Sequence, residues 1–405
     1  MDIRIVIGKN FGDEGKGLAV DYFAGRSLKN GSSCLLIRHN GGAQAGHTVE
    51  LPGMRIVFHQ LSAGSFRRAH TFWADTFLPD LYKLREETEA FAACSGHTPP
   101  VFASGRCRCV VIDDVLLNMA AEQLRGAERH GSCGMGINEA AVRSGRAGLC
   151  LTLEEVRDLS AEGLYRRLRE IRESYVPERM RELGLAFETA GEYGELLQDD
   201  NVLWNAAQVM CENVPLVRLE DSVLNRYDSV IFEGAQGLLL DEEYFRYAPH
   251  LTSSRTGLIN PARICRASFP GIRPEIVYVT RPYVTRHGAG PLPYENMNGT
   301  ASGWYDETNR PNEWQGALRF APHGTDAEFL EPVEEDLRAF SEEKTVSLMV
   351  THADETDYRM LTAEGTPCIR EWAAGKSVKD LFDRIYLSDR KGVEEGYEKI
   401  KIITC

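Results

Sequence analysis

Ten residues near the amino terminus, Gly8-Lys9-Asn10-Phe11-Gly12-Asp13-Glu14-Gly15-Lys16-Gly17, combine the chemistry of a phosphate cradle with that of a proton acceptor. The glycines let backbone N–H groups crowd around an anion, and Lys16 adds a positive charge. The pattern is not a Walker A loop. Six residues separate Gly8 from Gly15, and Gly17 stands where a Ser or Thr would hold magnesium. The acidic pair inside the loop separates it from a merely tight connection. A carboxylate among phosphate donors repels the ligand unless it binds a metal ion or takes a proton from the substrate, so Asp13 is a functional candidate on electrostatic grounds. His47 sits beside a glycine in a segment too polar to be core. Gln236, between Gly234 and Gly237 after an apolar run, reads as a ligand contact. His39 and His59 read as surface or satisfied core residues.

These side chains need a scaffold. Short β-branched runs at Ile3–Ile7, Val110–Ile112, Val230–Phe232, Ile276–Val279 and Val346–Val350 alternate with longer helix-compatible stretches, which predicts an α/β fold with a large, mainly parallel sheet. The phosphate loop then lies between the first strand and a helix starting near Leu18–Phe23. Leu151–Leu197, with Arg166, Arg167, Arg169, Glu170 and Arg172 interleaved among leucines, reads as solvated helices over the core. The expectation is one elaborated domain over residues 1–405, with helical and loop insertions and a mostly helical one around 151–200.

Composition narrows the function classes. A chain of 405 residues, 43% hydrophobic, can bury a sizeable core. A net charge of -14 argues against sequence-independent nucleic-acid binding, which needs clustered Lys and Arg. The ten cysteines are scattered, and Cys107 with Cys109 lacks metal-ligand spacing, so free thiols in a reducing compartment are expected. No stretch approaches a membrane span and no secretory leader is visible, which predicts a soluble, cytoplasmic protein.

The run Gly12-Asp13-Glu14-Gly15-Lys16-Gly17 resembles the opening hexapeptide of the adenylosuccinate synthetase family. So do Arg38 to Thr48 (Arg-His-Asn-Gly-Gly-Ala-Gln-Ala-Gly-His-Thr), His59 to Gly64, Phe232 to Gly237 running on to Asp241, Thr252 to Ser254, and Tyr283 to Pro291, all in family order. The resemblance implies a ligase of purine biosynthesis. Such an enzyme phosphorylates the 6-oxygen of a purine monophosphate with a nucleoside triphosphate and Mg²⁺, then displaces the phosphate with L-aspartate. It implies Asp13 as base and metal ligand, the Gly46 carbonyl as a second metal ligand, and His47, Lys16 and Gln236 as catalytic partners. Gly12, Glu14, Gly15, Gly17, Thr48 and Asp354 would bind the triphosphate, and Gln44, Ser132, Cys133 and Thr252 the monophosphate. In a homodimer, Arg143 or Arg146 would reach the partner's phosphate.

The sequence departs from the family pattern at several points. Gln44 replaces an asparagine, and Ser132-Cys133 replaces a pair of threonines. The arginine-rich aspartate loop is reduced to Asn312-Glu313-Trp314-Gln315-Gly316-Ala317-Leu318-Arg319, which leaves Arg319 as carboxylate clamp. Thr351-His352-Ala353-Asp354 lacks the lysine of the family's base-recognition motif. Leu387 to Arg390 would supply the last wall of that site. Three readings stay open: IMP or dIMP with GTP favoured; a phage-type relative acting on (d)GMP with ATP to give a 2-amino product; or an inactive purine-nucleotide sensor.

Overall fold

The computed structural model describes residues 1–29, 31–51, 54–211, 215–218, 224–295, 297, 314–390 and 400–404. Its strands are β1 (Asp2–Gly8), β2 (Cys34–Arg38), β3 (His47–Leu51), β4 (Met54–Phe58), β5 (His70–Trp73), β6 (Val101–Ala103), β7 (Ser229–Gly237), β8 (Glu275–Thr280), β9 (Val284–Arg286), β10 (Arg319–Ala321), β11 (Thr345–Val350), β12 (Arg384–Leu387) and β13 (Lys401–Thr404). Among the described residues nine of them form one sheet in the order β13-β12-β11-β8-β1-β7-β2-β5-β6. All neighbours run parallel except β12 and β13. The α/β class expected from the alternation of strands and helices holds.

Near-continuous apolar strands follow from burial of both sheet faces. Ile3, Ile5 and Ile7 point into one core with Phe232, Ile276 and Leu348, where the helices Ile259–Ser268 and Asp326–Leu337 pack. Val6, Ile231, Val277 and Met349 point the other way, against Ala19, Val20 and Phe23 of the helix Lys16–Lys29.

Helices carry a further core beside β5 and β6. Thr152, Ser160 and Asp199 cap the starts of Leu153–Asp158, Ala161–Glu182 and Asp200–Met210. Leu164, Leu168, Ile171 and Tyr175 form the apolar stripe of the longest of these. Arg166 and Arg169 make surface pairs, as a solvated face should, but Arg172 is buried on Asp113 at 2.6 Å. The strand expected at Val110–Ile112 is absent. Ile112 begins the helix Ile112–Arg125, because Asp113 and Asp114 favour a helix N-terminus and the Asp114 carboxylate accepts from Val111 N at 2.9 Å. No helix among the described residues is long and apolar enough to cross a membrane.

Parallel pairing puts the ends of β2, β7, β1, β8 and β11 on one edge. Open α/β sheets bind ligands at that edge.

Candidate active site

The loop after β1 is held in a conformation that ordinary residues avoid. Asp13 has φ +57°, a left-handed geometry costing ~1 kcal/mol. The carbonyls that this twist turns outward are caught by the segment after β8: Arg281 Nε donates to Asp13 O at 2.8 Å, and Thr285 Oγ1 donates to Gly12 O at 2.8 Å. Gly15, at φ +86°, lies so close to Thr351 that a Cβ would stand 2.7 Å from its Oγ1, while that hydroxyl donates to Glu14 O at 2.8 Å. Strand β11 thereby fixes the far side of the loop.

The Asp13 carboxylate faces open space. Burial pushes its pKa up, but the hydrogen bond and charge of His287, Nδ1 of which lies 3.3 Å from Oδ2, together with Lys16 and Arg281, hold it below the ordinary value. It is ionised at neutral pH. Opposite stands His47, whose Nδ1 is bonded to Oε1 of the buried Glu233. Burial pulls the imidazole down while Glu233 opposes that pull. Its Nε2 is buried without a hydrogen-bond partner among the described residues.

Two cavities meet here. The larger, about 490 Å³, is within the size of small-molecule sites and runs past Gln236 to Gln44, Ser132, Cys133 and Thr252. The smaller, about 100 Å³, is lined by Glu14, Gly15, Gly17, His352 and Arg390. Asp13, Lys16, Gly46, His47 and Thr48 line both. A carboxylate, a lysine and an imidazole thus form the partition between two ligand compartments.

Residues 5–313 match the family described as adenylosuccinate synthetase. The chain belongs to the adenylosuccinate synthetase family. It is a nucleotide-binding ligase that forms a C–N bond. The fully ligated adenylosuccinate synthetase from Plasmodium falciparum shares its fold with a TM-score of 0.63 and 18% identity, over 86% of this chain and 77% of that one. Succinoaminodeoxyadenylate synthetase from cyanophage S-2L, bound to dGMP and dATP, gives a TM-score of 0.53 and 15% identity, over 95% of this chain and 92% of its own.

Within this adenylosuccinate synthetase framework the expected residues take different places. Asp13, Lys16, His47 and Gly46 gather at the partition, with Gly12 and Gln236 on its larger-cavity side. Gly15, Gly17 and Thr48 line the smaller cleft, and Asp354 stands beside it, its Oδ1 accepting from Arg390 N at 2.7 Å. Gln44, Ser132, Cys133 and Thr252 line the larger cavity. Both polar atoms of the Gln44 amide are buried and unpartnered among the described residues. Ser132 Oγ donates to Asn118 Oδ1 at 2.8 Å, and burial pushes the Cys133 thiol up to about 11.

Several expected residues are engaged in the fold itself. Glu14 lines the smaller cleft, but its side chain turns inward as a brace, Oε1 accepting from Asn10 N at 2.6 Å. Arg143 is fully buried and makes a bidentate pair with Asp114 at 2.9 Å rather than standing on the surface. Arg146 bridges Glu178 and Glu182 on the surface. Arg319 pairs with Glu295 at 3.3 Å and donates to Gly290 O at 2.7 Å, and it is not among the residues lining the larger cavity. Asn312 and Glu313 lie outside the described residues.

Sequence reasoning missed Glu233, Arg281, Arg286 and His287. An acid inside the apolar run Val230–Phe232 and its glycine, and two cationic residue types before Gly288, were the available signals.

Proposed function

We propose that the chain joins L-aspartate to the 6-position of IMP or dIMP at the expense of a nucleoside triphosphate, GTP favoured. The observation that carries this is the partition: the larger cavity suits a purine monophosphate, the smaller cleft a triphosphate, and Asp13, Lys16 and His47 face both. Asp13, held ionised, takes the proton from purine N1. The electron pair moves to O6, which attacks the γ-phosphorus as the bond to the bridging oxygen breaks, releasing the diphosphate. Lys16 neutralises the phosphates. Burial keeps the His47 pKa below its ordinary value while Glu233 opposes that pull, so the ring takes up a proton as phosphate charge enters the site, and its Nε2–H donates to oxygen where negative charge develops. Gln236 hydrogen-bonds the purine. The amine of aspartate next attacks C6, its proton passes to solvent, and inorganic phosphate leaves.

The donor set suits Mg²⁺. Asp13 has a side chain 24% exposed, Gly46 lines both cavities, and no three His, Cys, Asp or Glu side chains cluster among the described residues. Mg²⁺ is typically held by one or two carboxylates with substrate phosphates rather than by a protein cage, and it would supply charge neutralisation at the transferring phosphoryl group.

A second reading, dGMP with ATP or dATP to a 2-amino product, draws support from two observations. The cyanophage enzyme bound to dGMP and dATP matches this chain over nearly the full length of both. Asp354 also has one oxygen already engaged by Arg390 N, leaving less to grip a guanine edge in the triphosphate site. The deciding experiment incubates the protein with L-aspartate, Mg²⁺ and a matrix of purine monophosphates against GTP and ATP, with mass spectrometry of products. A succinyl adduct in the IMP–GTP well is expected; one confined to dGMP–ATP selects the second reading. No adduct in any well, with nucleotides bound, leaves a sensor. Asp13→Asn should bind nucleotides and form no phosphorylated intermediate.

A further inference from the structure

Arg286 ends β9 and is 1% exposed, yet it forms part of the wall of the larger cavity. Its guanidinium carbon lies 4.3 Å from the Phe11 ring centroid and 5.7 Å from that of Tyr247. One edge donates to Pro291 O at 2.9 Å and His250 O at 3.2 Å, while Nε is buried with no partner among the described residues. Among the described residues no carboxylate pairs with it. Glu295, whose charge reaches it, is taken by Arg319 at 3.3 Å. Carbonyls and aromatic faces offset only part of the cost of burying a cation. The other cations of this wall are matched, Lys16 by Asp13 and Glu14, and Arg125 by Glu122. Among the described residues the cavity therefore carries an unmatched positive charge beside Phe11 and His287, the latter touching Asp13.

That position bears on which anion fits. The attacking amine must reach the carbon bearing O6, next to the N1 that Asp13 deprotonates, so the carboxylates of an amino acid fall within a few bonds of the partition. The monophosphate, beyond the sugar, falls toward Ser132 and Thr252. A planar fork suits a carboxylate.

We propose that Arg286, cross-strand partner of Arg319, binds a carboxylate of the amino-acid substrate. The proposal rests on the synthetase reading above.

The test compares wild-type protein, Arg286→Met and Arg286→Lys at saturating nucleotides, with L-aspartate and L-asparagine as nucleophiles. Arg286→Met should raise the aspartate KM about tenfold to a hundredfold, leave the monophosphate KM within about twofold and erase the preference for aspartate over asparagine. Arg286→Lys keeps the charge and the stem between the rings and stays folded even if the methionine variant does not. It should recover part of the loss. An unchanged aspartate KM in a folded variant, or a rise confined to the monophosphate KM, overturns the assignment while leaving the synthetase reading intact. Wild-type protein that makes no adduct with any amino acid sinks both.

Discussion

Single side chains divide into those that face ligand and those that set up the ones that do. His47 and Glu233 make the division testable. His47→Ala should lower kcat by about 10²–10³, by analogy with loss of one charge-stabilising donor. Glu233→Gln leaves the ring but removes the charge that favours its protonated form, so kcat should fall with little change in either nucleotide KM. Steady-state kinetics with both nucleotides varied reads the split, and an effect of Glu233→Gln confined to KM would reduce Glu233 to a packing role. Lys9 is a different kind of residue. It is 2% exposed, with Nζ 3.8 Å from the Phe329 ring centroid and 3.0 Å from Asn10 Oδ1. Burial pulls its pKa from 10.5 to about 7, against the charge of Glu14. Above pH ~7 the unfolded lysine holds a proton that the native one has lost, so stability rises with pH up to the unfolded value. Relative to Lys9→Met, the wild-type chain should gain ~1 kcal/mol per pH unit between about pH 7.5 and 9.5 in urea unfolding. Parallel pH curves would mean that Lys9 keeps its proton in the fold.

The loop and the strands around it show which elements could be read in the sequence. Ile3–Ile7, Ile276–Val279 and Val346–Val350 were visible because a strand buried on both faces must be apolar throughout, and the phosphate loop because glycine and acid together have few structural uses. Val110–Ile112 failed because three β-branched residues are too few to outweigh two aspartates that favour a helix start. The backing of the loop by Arg281 and Thr285 left no local trace, since it depends on where β9 returns, with Thr285 272 residues beyond Asp13. The brace from β11 can be tested directly. Gly15→Ala forces a Cβ to within 2.7 Å of Thr351 Oγ1 at φ +86°. It should cost ~1–2 kcal/mol for the backbone and ~1–3 kcal/mol for the overlap. Adding Thr351→Gly removes the overlap and not the backbone term. A double-mutant cycle by chemical denaturation should therefore show a coupling of ~1–2 kcal/mol. Additive changes would mean that loop and strand are not in contact as described.

At the scale of the molecule, the sheet core and the helical core are joined through the walls of one cavity. The end of the cavity proposed for the monophosphate depends on the helical part: Asn118 of the helix Ile112–Arg125 accepts from Ser132 Oγ and from Gly136 N, just before the helix Ile137–Ser144. That helix carries Arg143, whose burial sequence spacing does not reveal, because a motif places a residue along the chain but not on the inner or outer face of its helix. Arg143 pairs with Asp114 and also donates to Leu149 O and Cys109 O, while the adjacent Asp113 pairs with Arg172. Removing one partner of a buried pair leaves the other uncompensated, so Arg143→Met should cost ~3–5 kcal/mol. The loss should be local first: hydrogen exchange should rise in Ile112–Arg125, Ile137–Ser144 and Ala161–Glu182 while β1, β7 and β8 stay protected. Monophosphate affinity should fall with it, and Asp114→Asn should behave alike. An arginine that instead completed the partner's site in a homodimer would give another pattern: wild-type stability and exchange, lost monophosphate binding, and activity regained on mixing with Asp13→Asn, because hybrid dimers would hold one intact site. Light scattering on each variant fixes the assembly under assay conditions. Regained activity in a fully stable Arg143→Met chain would overturn the buried-pair account, whereas a destabilised variant that mixing cannot rescue places Arg143 beneath the site rather than across from it.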